Sequence, residues 1–182
     1  YGIAVDQEDR VFVTQTDARN TANGRAGTRK EGLGELQNRA FLNRITRIDC
    51  GEGQCAKPVF FDLEPLPPSN PPVGSALATP YGLQVSRDNQ VLVGTAAGSD
   101  KLFTVDAQSG AVLGQVGVGG VPRGIALESS DAGRAVRAWV HNAVDNSVSV
   151  VDLINPSTPE LLATIALEDS TDAITKQGRL AF

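Results

Sequence analysis

Two cysteines, one histidine and one tryptophan are all that the 182-residue chain holds of these residue types, so few reactions can be built from them. Cys50 and Cys55 flank the turn Gly51-Glu52-Gly53-Gln54. A disulfide closing a short hairpin fits this spacing, is worth roughly 2 kcal/mol by loop entropy, and places the chain in an oxidising compartment. Zinc needs further ligands and the single His lies far away in sequence, so no metal site is expected. A redox-active cysteine pair is more commonly spaced by two residues. Trp139 and His141 stand at i and i+2, on the same side of a strand. Electron relay, copper contact or a hydrogen bond to a ligand are open to them. The favoured reading is a packing Trp beside a hydrogen-bonded His. No residue is assigned a catalytic role.

Glycine-rich stretches offer little more. Gly117-Val118-Gly119-Gly120 is followed by Pro122 and no helix, so it lacks the N-terminus that cradles a phosphate. Gly94 to Lys101 lacks the Gly-Lys-Ser/Thr ending of a P-loop, and no Gly-x-Ser-x-Gly elbow occurs.

The elements that would carry these residues repeat. Tyr81-Gly82-Leu83-Gln84-Val85 recurs as Arg123-Gly124-Ile125-Ala126-Leu127 and as the opening Tyr1-Gly2-Ile3-Ala4-Val5. Gly82 and Gly124 are 42 residues apart, the period of a four-stranded propeller blade. A second marker keeps the same register: strands ending in an apolar residue and Asp, at Asp49, Asp106 and Asp152, each followed by turn residues and a new apolar run. The predicted strands are 2–5, 11–15, 43–49 and 59–63, then 82–85, 91–95, 102–106 and 111–118, then 124–127, 135–141, 147–153 and 160–167. The fold class is therefore all-β: three four-stranded antiparallel blades spanning 1–63, 81–120 and 121–168. A tail at 169–182 is expected to begin a helix.

Extra residues fall at 16–42, between strands b and c of the first blade, and at 64–80, a connection rich in proline. Both exit on one face of the disc, which is the expected binding surface. Leu33, Leu36 and Ala40 recur at helical spacing, predicting a short helix in the first insertion. Residues 18–47 carry seven cations, Arg25, Arg29, Lys30 and Arg39 among them, against two carboxylates, whereas the rest of the chain holds nine against nineteen. Such a basic flap would steer an acidic protein partner or else clamp onto its own acidic body. Nucleic acid is not expected, because stacking aromatics are lacking apart from Phe41. No apolar run is long enough for a membrane-spanning helix. The residues before the repeated glycines, Tyr1, Tyr81 and Arg123, lie where innermost strands begin, and they either ring the channel mouth or pack the preceding turn.

The run from Val91 through Val105-Asp106, Ser109-Gly110 and Val116-Gly117 to Pro122-Arg123-Gly124, with Asn146-Ser147-Val148-Ser149-Val150-Val151-Asp152, resembles the YVTN family of bacterial β-propeller repeats. That resemblance implies a seven-bladed propeller in a periplasmic or extracellular bacterial protein. The ending Lys176-Gln177-Gly178-Arg179-Leu180-Ala181-Phe182 is similar to the approach to dihaem cytochrome c peroxidase-like domains, which implies c-type haem in a continuation and none in these residues. The expected function is a docking module for a c-type cytochrome or similar electron-transfer unit. The alternatives are a propeller hydrolase or lactonase with a channel-mouth site, or a non-catalytic binding propeller. Since three blades do not close a ring, open blade edges are expected to be covered by remaining blades or another chain.

Overall fold

The computed structural model describes residues 1–18, 41–51, 54–65 and 72–181. The expected helix near Leu33 and the side chains of Arg25, Arg29, Lys30 and Arg39 lie outside them. The described chain forms three antiparallel sheets in sequence order. The first holds β1 (Ile3–Val5), β2 (Arg10–Ala18), β3 (Phe41–Gly51) and β5 (Val59–Asp62), with the two-residue β4 (Gln54–Cys55) hairpinned onto β3. The second is β6 (Pro80–Val85), β7 (Val91–Ala96), β8 (Lys101–Asp106) and β9 (Val112–Gly117). The third is β10 (Pro122–Ser129), β11 (Ala135–Asn142), β12 (Ser147–Asp152) and β13 (Glu160–Ala166). A helix, α1 (Ala173–Ala181), follows, and the Asp172 carboxylate caps it by accepting from the Ile174 and Thr175 amides. No helix among the described residues is long and apolar enough to cross a membrane.

Alternation along each strand sends one row of side chains to the preceding sheet and one to the next. Two cores result. Phe12, Ile45 and Phe61 of the first blade pack on Leu83, Leu92, Phe103 and Val105 of the second. Val93 and Leu102 of the second blade pack on Ala138, Val140, Val151 and Leu153 of the third. The middle blade is thus covered on both sides. Each flanking blade leaves one apolar face open: Ile3, Val5 and Phe60 on the first, Trp139 and Ile165 on the third.

Several strands run past their expected limits: β6 starts at Pro80 rather than at 82, and β10 spans Pro122–Ser129 rather than 124–127. β2 and β3 remain paired out to Ala18 and Phe41, beyond the predicted limits of 15 and 43. Their polar ends are stitched together: Thr46 donates to Gln15 at 2.6 Å, and Arg44 lies between Asp17 and Asp62. Hydrogen bonds across the ladder replace the apolar alternation that marks a strand in sequence.

Two of the three repeated Asp positions work as turn caps. Asp106 Oδ1 accepts from the amides of Gln108 (3.1 Å) and Ser109 (2.7 Å) and from the Ser109 hydroxyl (2.7 Å). The Ser109 amide above all, then its hydroxyl, holds the Asp106 carboxyl below its ordinary value. A lowered folded value means stability present above the unfolded pKa and lost as pH falls through the folded one. Asp106→Ala is therefore expected to cost about 1 kcal/mol at neutral pH. The difference should shrink in acid, which denaturant melts at neutral pH and below the carboxylate range would show. Asp152 caps the equivalent turn through Ile154 N at 2.8 Å, whereas Asp49 is held by Arg47 instead.

Candidate functional site

The innermost strands meet through backbone. A Cβ built at Gly2 would lie 2.5 Å from the Tyr81 carbonyl oxygen, and one at Gly82 would lie 2.3 Å from that of Arg123. Glycine repeats in the sequence because each blade's leading strand must come this close to the next. A threonine fastens each crossing. Thr14 Oγ1 accepts from Gly2 N (2.7 Å) and donates to Tyr81 O (3.0 Å), and Thr95 Oγ1 accepts from Gly82 N (2.8 Å).

The approach to β6 and β10 is strained in the same way twice. Thr79 and Val121, both β-branched and both preceding proline, have φ of 53°, a region that costs such residues about 1–3 kcal/mol. Side chains hold them there: Thr79 N donates to Asn43 Oδ1 at 3.3 Å, and Val121 N donates to Asp100 Oδ1 at 2.8 Å. The sharp turn aims the two following positions, Tyr81 and Arg123, at one another. The Arg123 guanidinium stacks over the Tyr81 ring, 5.4 Å from its centroid. Arg123 is exposed, and no carboxylate among the described residues pairs with it.

Three of the candidate residues are therefore neighbours. Tyr81 and Arg123 touch, and His141 sits opposite Gly124 in the β10–β11 ladder, one residue from Arg123. Tyr1, 69% exposed, precedes the glycine that lies on the Tyr81 carbonyl. Trp139 stands deeper, opposite Ala126 and Val150 at mid-strand, on the open face of the third blade. Beside the mouth, between the paired ends of β2 and β3 and the proline-rich connection, is a cleft of about 410 Å³ lined by Thr16, Phe41, Asn43, Glu64 and Pro72. Lys101 ties down its outer wall by donating to the carbonyls of Gly74 and Ala76.

Of the basic residues of 18–47, Arg44 is bound to Asp17 and Asp62, and Arg47 to Asp49 and the Gln108 carbonyl. Arg44 clamps the first blade to itself, and Arg47 also ties it to the second. Cys50 and Cys55 face each other across β3 and β4 and form a disulfide, with no free cysteine left. Among the described residues no group of three or more His, Cys, Asp and Glu side chains is assembled for a metal.

Sequence reasoning missed the ion pair in the first a–b turn. Arg10 Nε bonds Asp6 at 2.6 Å, and its Nη2 crosses to the Asn89 carbonyl of the next blade at 3.1 Å. The one signal was an Arg leading the apolar run Val11-Phe12-Val13.

No protein-family model and no curated protein matches the sequence. Solved structures do match. Hydrazine synthase of Kuenenia stuttgartiensis aligns at TM-score 0.60 and 16% identity, covering 82% of this chain and 44% of that one. A protein of unknown function from Desulfotomaculum acetoxidans aligns at 0.54 and 12% identity, covering 92% and 42%. A candidate 6-phosphogluconolactonase from Bacteroides fragilis aligns at 0.50 and 13% identity, covering 93% and 57%. The chain spans less than two thirds of each of them. At these identities the likeness shows the fold alone: this chain is built of propeller-like blades.

Proposed function

We propose that the chain is the blade segment of an extracytoplasmic bacterial docking protein, holding an acidic-surfaced electron-transfer partner such as a c-type cytochrome at its channel mouth. The observation that carries this reading is the exposed guanidinium of Arg123, fixed in place by the Tyr81 ring and unpaired with any carboxylate among the described residues. Both long connections leave from the same end, and the cationic residues Arg25, Arg29, Lys30 and Arg39 belong to one of them. A mouth with fixed positive charge attracts an acidic surface and orients it. The disulfide supports an oxidising compartment.

Covalent haem does not fit these residues. Both cysteines are consumed by one bond and no Cys-x-x-Cys-His run exists, so haem would belong to the partner or to a continuation. The test is a titration of the intact polypeptide with an acidic c-type cytochrome at low and high salt. Arg123→Glu is expected to weaken binding about tenfold at low salt, with the difference fading at high salt. Binding that ignores salt, Arg123 and the loop cations alike would end this reading.

A further inference from the structure

The two seams between blades differ at the end away from the channel mouth. In the first seam, two arginines of the first blade cross to the second. Arg10 Nη2 donates to the Asn89 carbonyl at 3.1 Å, and Arg47 Nη1 donates to the Gln108 carbonyl at 2.9 Å. Strand register places Val91 and Thr104 at the same two positions of the second blade. Arg10 pairs with Asp49 and Phe12 with Arg47, just as Val91 pairs with Asp106 and Val93 with Thr104. Neither replacement carries a cation across the second seam. Thr104 Oγ1 donates to the Pro156 carbonyl at 2.6 Å, and Val91 has no polar side-chain group.

The shorter side chains leave a cavity of about 240 Å³ in the second seam, walled by Val91, Ala135, Leu153 and Ile154. Ala135 and Ile154 are the counterparts of Asn89 and Gln108. Asn89 and Gln108 stand two residues outside the ladder pair Val91–Asp106, and Ala135 and Ile154 stand two outside Arg137–Asp152. The residues that receive cations in the first seam thus line a cavity in the second. The Ile154 carbonyl accepts no hydrogen bond among the described residues. Two charged residues complete the lining, Asp88 and Arg134, drawn together where Asp88 N donates to the Gly133 carbonyl at 3.1 Å. Neither forms an ion pair among the described residues. Arg134 is exposed and its guanidinium has no acceptor there. Asp88 Oδ1 accepts from the Ser86 hydroxyl and the Gln90 amide, which leaves Oδ2 for a further donor.

We propose that this cavity binds a free α-amino acid whose side chain is an alkyl cation, with arginine the best match. The ligand's guanidinium takes the place that Arg47 fills in the first seam and donates to the Ile154 carbonyl. Its alkyl stem lies along Val91 and Leu153, apolar wall of the kind that such stems cover. At the a–b end the Arg134 fork receives the α-carboxylate, a planar match that two parallel hydrogen bonds reward. Asp88 Oδ2 accepts from the α-ammonium beside it. The reverse orientation would set the guanidinium against Arg134 and the carboxylate against a carbonyl oxygen, so the charges fix one direction of entry. This end of the blades lies opposite Tyr81 and Arg123, and occupancy of the cavity is independent of docking at the mouth.

Calorimetric titration of the intact polypeptide with L-arginine tests this, with methyl NMR locating the site. The expected result is saturable binding with shifts at the methyls of Val91, Leu153 and Ile154. L-Citrulline, whose side chain ends in an uncharged ureido group, and agmatine, which lacks the carboxylate, should each bind at least about tenfold more weakly. Arg134→Ala should weaken L-arginine by a similar factor and leave agmatine unchanged, a selectivity that a merely structural role would not produce. Absence of saturable L-arginine binding overturns the proposal, as does citrulline binding as tightly as arginine. Shifts confined to the channel mouth, or an Arg134→Ala variant that holds L-arginine as the parent does, overturn it equally. The cytochrome titration reads docking at the other end, so failure of one leaves the other standing.

Discussion

Gly82→Ala is expected to destabilise the protein by about 3 kcal/mol, at the upper end of overpacking costs. The added methyl would meet the Arg123 carbonyl oxygen at 2.3 Å, its carbon at 3.3 Å and Thr95 Oγ1 at 3.0 Å. Two of these atoms are backbone of the next blade's innermost strand and cannot rotate away. Relief therefore requires the two strands to separate, which loosens the Val93–Val140 core behind them. Gly117→Ala is the matched control, because no atom lies within 4 Å of its Cβ position; it should stay within about 0.5 kcal/mol of the parent. Urea unfolding of the intact polypeptide reads both. An unchanged midpoint for Gly82→Ala would mean that the blades are not in backbone contact at the axis.

Arg10→Ala is expected to cost about 3 kcal/mol, because it strands a buried charge. The Asp6 side chain has no exposed area, and its strongest partner is the Arg10 guanidinium at 2.6 Å. Two amides, of Glu8 and Arg10 itself, would remain on Asp6 Oδ1, which keeps the cost at the low end of the range for broken buried pairs. The Asn89 carbonyl also loses its donor across the seam. Asp6→Asn with Arg10→Met removes both charges while keeping most of the volume, and should recover most of the loss. A double-mutant cycle by denaturant melts measures the coupling.

The blades were legible in the sequence because their markers answer to backbone geometry. Gly2 and Gly82 must be glycine for the strands to approach, and Asp106 and Asp152 must follow an apolar strand to cap a turn, so both recur with the period of the fold. What escaped notice depends on contacts between units. Arg10, Val91 and Arg137 occupy one structural position with unlike side chains, so no repetition draws attention to them. The left-handed Thr79 and Val121 look like ordinary strand residues, since Asn43 and Asp100, far away in sequence, hold their conformation. Thr16, Asp17 and Ala18 extend β2 through polar pairing that alternation does not detect. Trp139 and His141 looked like a possible site because both are the single residue of their kind. Their placement opposite Ala126 and Gly124 instead ties them to the positions of Phe12 and Thr14.

The Cys50–Cys55 hairpin gives the molecule a handle with a known orientation. It projects from the c–d end of the first blade, where the Cys50 amide donates to the Asp9 carbonyl of the a–b turn. Tyr81 and Arg123 begin their strands at the opposite end. A tag or surface linkage placed at this hairpin would therefore present the channel mouth outward on every immobilised molecule, leaving the Tyr81–Arg123 pair clear for whatever is passed over it.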